Sequence, residues 1–136
     1  MTLVWEGDKI KLDVAWAQRF AINKTMAEAV VHAKNNHNWQ NRTGILEGSI
    51  AISTMAIRDG RGFRGEWGSK DVAYALIHEL GGRIVPKKAK VLRFKVDGQW
   101  RSAKEVTIPA RPYLRPAADA VYPQLASNIN LGLRLT

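Results

Sequence analysis

Four stretches of this 136-residue chain hold residue types that could do chemistry. Gly60-Arg61-Gly62-Phe63-Arg64-Gly65 has the spacing of a glycine loop that cradles a dinucleotide. Such a loop must open a helix directly within a parallel βαβ unit. Here Trp67-Gly68 follows and the flanking strands read as antiparallel, so a hairpin tip is expected and no cofactor. The same tip interleaves Arg58, Arg61 and Arg64 with Phe63, a pattern suited to phosphate contact and base stacking. His78-Glu79 matches the first half of a zinc-hydrolase helix, but the position of the second histidine is Gly82. His32 and His37 form no ligand pair with it. Cysteine is absent, which removes thiolate nucleophiles, thiolate metal sites and disulfides. Ser49, Ser53, Ser69, Ser102 and Ser127 all lie outside a G-x-S-x-G context. We expect no enzyme, cofactor or metal site. Lys87, Lys88 and Lys90, with Arg83, form a basic cluster able to meet phosphates or an acidic surface. It has no reading helix beside it, so sequence-specific DNA binding is not expected.

The fourth stretch is Ile108-Pro109-Ala110-Arg111-Pro112-Tyr113-Leu114-Arg115-Pro116-Ala117, which holds three of the five prolines. Pro109 and Pro112 bias Ile108 and Arg111 toward extended backbone. Pro116 suits the first turn of a helix, where no N–H donor is needed. A strand end, a rigid elbow with two arginines and the start of a terminal helix are predicted. No reaction requires this arrangement; it fixes the approach of a helix.

The elements that position these stretches follow from periodicity. Residues 2 to 11 alternate loosely around Gly7-Asp8 and predict a short strand or arm. Asp13 is placed to cap a helix over about 14 to 35, roughly 33 Å long. Trp16, Phe20, Asn23, Ala27, Val30 and Val31 would form its core stripe, with Asn23 the polar exception. The asparagines around His37 end it. Residues 45 to 57 alternate as a strand, with Ile50, Ile52 and Thr54 on one face. A turn at 58 to 62 returns the chain as a second strand over 63 to 67. A short helix runs from about 70 to 80, capped by Ser69 and stopped by Gly81-Gly82. Residues 90 to 96 and 99 to 108 form two more strands about the Asp97-Gly98 turn. The terminal helix covers 116 to 128, kinked at Pro123, and 131 to 136 alternate as a C-terminal arm. The expected fold is α+β: an antiparallel sheet of about four strands against a long N-terminal helix, with a short middle helix and a C-terminal helix.

The length suits one domain over 1–136, with arms at 1–11 and 131–136. No signal-peptide pattern opens the sequence, and no apolar run approaches the eighteen residues of a membrane span. Asn41-Arg42-Thr43 formally fits a glycosylation triplet. Net charge is +9, and it is uneven: residues 58 to 115 hold fourteen Lys/Arg against six Asp/Glu. That half of the molecule attracts nucleic acid or an acidic protein, or is a solvated basic face.

Three segments carry a family resemblance: Arg42-Thr43-Gly44-Ile45-Leu46-Glu47-Gly48-Ser49, Tyr74-Ala75 with Glu79-Leu80-Gly81, and Ala110 to Ala117. In this order and at these distances, from about residue 12 to 130, they resemble the neck or tail-completion family of long-tailed bacteriophages. Gly48 departs from the pattern, where a larger polar residue is commoner. His78 before Glu79 is shared with a related virion-morphogenesis family of contractile-tailed phages. The resemblance implies a non-enzymatic minor tail protein at the head–tail neck, assembled in the bacterial host cytoplasm. It implies a ring, a hexamer, around the DNA channel, meeting head-closure or connector proteins on one side and tail-terminator or tail-tube proteins on the other. Arg42, Thr43, Gly44, Leu46, Ser49, Tyr74, Glu79, Gly81, Arg111, Pro112, Tyr113, Leu114, Arg115 and Pro116 would then be motif or interface residues. Arg58, Arg61, Arg64, Arg83, Lys87, Lys88 and Lys90 would face DNA or an acidic partner. A tail-terminator ring and a host nucleic-acid-binding module are the alternative readings.

Overall fold

A computed structural model describes residues 1–37, 44–70, 75–87, 89–96 and 98–136. Its axis is helix α1, Gly7–Asn35, which at 1.5 Å per residue is about 44 Å long. It begins seven residues earlier than periodicity predicted. The strand expected over 2–11 does not form: residues 1–6 are exposed and irregular, and Gly7-Asp8 opens the helix instead. Asp8 places a carboxylate at the positive helix end. Gly7 leaves room for the Trp5 indole, which a Cβ there would strike at 2.4 Å. Asp13 caps nothing; it lies inside α1, 3.0 Å from Lys9.

The buried face of α1 is not the predicted aromatic stripe. It is Ala17, Ala21, Thr25, Ala29 and Ala33, with Met26. Trp16 and Ala27 are exposed, and Trp16 stacks on Phe20 with centroids 5.2 Å apart. Small side chains win this face because four elements pack against one helix: two strands (Ile50–Asp59 and Gly62–Ser69) and two helices (Leu114–Val121 and Leu125–Arg134). Backbones approach closely only where no bulky side chain intervenes.

After α1 come α2 (Ile45–Ser49), β1 (Ile50–Asp59) and β2 (Gly62–Ser69). The strand expected from 45 thus begins at Ile50. Its alternation holds: Ile52, Thr54 and Ala56 turn inward while Ala51, Ser53 and Met55 are exposed. Strands β1 and β2 pair antiparallel through a tight turn, Asp59 opposite Gly62. Register shifts interrupt the ladder between Ile52 and Thr54 and between Thr54 and Ile57. At the second, Ala56 N donates to Asn23 Oδ1 at 2.8 Å. The polar exception on α1 therefore satisfies an amide that the irregular ladder does not.

Helix α3 (Ala75–Leu80) is followed by β3 (Gly82–Ile84), β4 (Leu92–Val96), β5 (Gln99–Ala103) and β6 (Val106–Ile108). Of the helix expected over 70 to 80, residues 71–74 lie outside the described residues; Ser69 ends β2, and Gly82 begins a strand that the sequence did not suggest. The α+β architecture is as expected, but among the described residues the strands form three antiparallel pairs, β1–β2, β3–β6 and β4–β5, in place of one sheet. The division arises because the predicted strand 99–108 breaks after Ala103. Its first half pairs with β4 and its second half with β3.

Helix α4 (Leu114–Val121), a 3-10 turn (Tyr122–Gln124) containing Pro123, and α5 (Leu125–Arg134) complete the chain. The C-terminal arm is helical, not extended. Gly132 is buried, and a Cβ there would lie 3.0 Å from Ala17 Cα, so α5 presses directly on α1. Asn128 Nδ2 donates to Thr25 Oγ1 at 2.9 Å within that contact. The main buried cluster is Ala33, Leu46, Ile50, Ala75, Tyr113 and Ala117, flanked by Val30, Trp67 and Leu114.

Candidate functional site

The proline elbow and α3 meet in one hub. Helix α3 ends at Gly81, whose φ of +70° is left-handed. A Cβ at Gly81 would stand 2.7 Å from Ala110 N and 2.8 Å from Ile108 O. Only glycine lets the two chain segments pass this closely. The pairing Gly82↔Ile108 then starts the β3–β6 ladder, and Arg111 N donates to His78 O at 2.7 Å.

Glu79 closes the hub. Its Oε2 accepts from Tyr113 N at 2.7 Å and Leu114 N at 3.1 Å, and its Oε1 accepts from Arg115 N at 2.9 Å. These are the cap residue and first two residues of α4. The third helical residue is Pro116, which has no N–H. Every orphan amide of the first turn of α4 is therefore accounted for by one carboxylate from another helix. The carboxylate also sits at the positive end of α4. Both of its oxygens accept from main-chain donors, an arrangement that anchors a helix.

Tyr113, fully buried, hydrogen-bonds through its hydroxyl to Ser69 Oγ at 2.8 Å. Burial pushes its phenol pKa above the ordinary 10.0, the Ser69 bond offsets part of this, and the charge of Glu79 adds to the rise. Leu46 from the first motif, Ala75 from the second and Tyr113 and Ala117 from the third share the same core. Three segments far apart in sequence thus converge on one cluster. Gly44, with φ +74°, starts α2, and Ser49 Oγ donates to Leu46 O. Arg42, Thr43 and Tyr74 lie outside the described residues. Arg111, Pro112, Arg115 and Pro116 are exposed, Arg115 standing 3.8 Å from Asp119.

The basic candidates do not form one patch. At the β1–β2 tip, Arg58 and Arg19 lie over the Phe63 ring at 5.0 and 5.6 Å. Arg64 is 4.0 Å from Asp59 and 3.9 Å from Glu66, while Arg61 is exposed. The glycine spacing here serves an antiparallel hairpin. Gly65 makes room for α1, since a Cβ would strike Met26 Sδ at 2.6 Å. Arg83 pairs with Glu105 at 3.0 Å. Lys87 and Lys90 are exposed, and Lys88 lies outside the described residues. Sequence reasoning passed over Arg93, Lys95, Trp100 and Arg101, which the β4–β5 pair gathers; the alternation of 90 to 96 was the signal. Among the described residues no group of His, Asp or Glu could hold a metal ion, and no helix is long and apolar enough to cross a membrane.

Two separate patches stand out among the exposed apolar residues. Leu76 and Leu80 are one turn apart on α3, 68% and 69% exposed. Leu12 and Trp16, 72% and 41% exposed, form a groove with Leu135 where α1 begins and α5 ends. Ala75 shares the buried cluster with Ala33, so the first patch lies toward the far end of α1. The 21 residues from Leu12 to Ala33 separate the two by about 30 Å along the helix.

No family model, curated protein or solved structure matches the chain.

Proposed function

We propose that this chain is a non-enzymatic structural subunit that closes into a ring, and that the ring completes or joins the tail of a long-tailed phage at the neck, around the DNA channel. The observation that carries the ring is the pair of unlike apolar patches, one on α3 and one where α1 begins and α5 ends, about 30 Å apart along the α1 axis. Unlike, well-separated patches suit a heterologous contact, in which one face of a subunit meets the other face of the next and rotation closes the series. Exposed apolar surface of this kind marks association. The motif residues support a structural role: Glu79, Gly81 and Tyr113 are spent on holding α3, β6 and α4 together. The neck itself rests on the order and spacing of the three motifs.

Sedimentation of two complementary variants tests the contact. Leu76→Glu/Leu80→Glu blocks one patch and Leu12→Glu/Trp16→Glu the other. Each alone should remain monomeric, while an equimolar mixture should form a dimer, because one intact copy of each patch survives. A mixture that stays monomeric while wild type forms a ring would refute the two-patch contact. A wild type that is monomeric at both low and high salt would refute the ring.

A further inference from the structure

Among the described residues, strands β4 and β5 pair only with each other and form a two-stranded ribbon. Lys95 opposes Trp100 and Arg93 opposes Ser102, so all four share a face. The Trp100 indole is 62% exposed. Arg93 Cζ and Lys95 Nζ lie 5.3 and 5.2 Å from its ring centre. Arg101 is exposed on the other face. Among the described residues none of Arg93, Lys95 and Arg101 has an ion-pair partner. Exposed Lys87, Lys90 and Lys104 flank them. Residues 87 to 104 hold seven Lys/Arg against a single Asp, which is six of the nine net positive charges of the chain.

We infer that the β4–β5 ribbon is a sequence-independent nucleic-acid contact, with Arg93, Lys95 and Arg101 on phosphates and Trp100 against the bases or groove wall. Unpaired cations draw any polyanion, but an acidic protein segment needs no exposed indole among them. A nucleic acid uses both, through phosphate neutralisation and ring stacking. A two-stranded ribbon also has the width that the major groove of a duplex admits. The β1–β2 tip is the weaker candidate, because Asp59 and Glu66 sit beside Arg64. The assignment is independent of the ring, since one subunit carries the whole site.

Fluorescence anisotropy tests it, with a labelled 20-nucleotide single strand and the matching duplex, between 50 and 200 mM salt. Affinity should fall linearly on logarithmic axes. Arg93→Ser/Lys95→Ser should weaken binding at least tenfold at low salt and reduce the duplex slope by about 2, near 0.9 per lost phosphate contact. Lys87→Ser/Lys90→Ser, outside the strands, should reduce the slope similarly and guards against a misfolded ribbon. Tighter single-strand binding that Trp100→Ala lowers about tenfold identifies stacking on bases. Affinity for both the single strand and the duplex insensitive to Trp100→Ala would overturn the role assigned to the indole. Wild-type affinity and slope in both cation variants would overturn the assignment. So would competition by polyglutamate of matched charge as effective as that by the unlabelled oligonucleotide.

Discussion

Replacing Glu79 by alanine should uncouple α4 from α3 and destabilise the protein by about 2–4 kcal/mol. The wild-type carboxylate holds three main-chain amides at 2.7, 3.1 and 2.9 Å. A hydrogen bond to a charged group contributes about 1.5–3 kcal/mol net, and a single side-chain cap about 1 kcal/mol. Three full contributions would overstate the loss, because Glu79 is only partly buried and Arg115 is exposed, so water reaches some of the freed amides. Tyr113, whose side chain is fully buried, sets the floor: its N–H has the shortest bond and the least access to water. Glu79→Gln should recover roughly half. Its single carbonyl oxygen can replace Oε2 for Tyr113 and Leu114, but its NH2 then faces the Arg115 N–H, two donors together. Urea unfolding followed by circular dichroism gives the stabilities, and amide exchange at 113 to 115 reports the cap directly. At 3 kcal/mol the melting midpoint should fall by about 10 °C for a chain of this size. An alanine variant within about 0.5 kcal/mol of wild type, with these amides still protected, would refute the hub.

Gly81→Ala should be destabilised by more than about 2 kcal/mol, since it combines a left-handed φ with a backbone clash at 2.7 Å; normal stability would mean that α3 and the elbow can separate freely. Tyr113→Phe should cost about 1 kcal/mol at neutral pH through the lost Ser69 bond. It should also flatten the alkaline limb. The folded phenol holds its proton to higher pH than the unfolded one, so its contribution is full below pH 10.0 and is lost as pH rises beyond that value toward the folded pKa. Equal alkaline slopes in the two proteins would contradict this. Asn23→Leu should cost about 1–3 kcal/mol by stranding Ala56 N–H, a loss that Asn23→Asp, which keeps an acceptor, should largely avoid.

Short-range chemistry was legible in the sequence. The helical run ending near Asn35, the turn at 58 to 62, the inward and outward alternation of β1 and β4 and the stop at Gly81 depend on periods and turn residues within a few positions. So did the α+β class. The proline elbow was legible as a rigid device, because Pro112 and Pro116 restrict backbone whatever surrounds them.

What only the tertiary structure decided concerns partners distant in the chain. Residues 131 to 136 alternate apolar and polar over so short a span that strand and helix fit equally, and Gly132 against Ala17 selects the helix. Residues 45 to 49 fold as α2 where the apolar pattern suggested a strand, and this carries Leu46 into the core. The strand over 99 to 108 divides because β3 is present to take its second half. Trp16 lost the core to alanines because four elements compete for one helix, and side-chain size decides only once the neighbours are known. Glu79 stood out in the sequence as half of a metal motif and as part of a segment that resembles a phage neck family. Its role as a cap appears only when α4, more than thirty residues later, is brought to it. The same holds for the ribbon: single cations in a line become a site when Lys95 and Trp100 are set opposite each other. Periodicity expresses what a residue does to its own turn of helix or strand, whereas a cap, a close backbone crossing or a cross-strand pair is defined by two places in the chain at once.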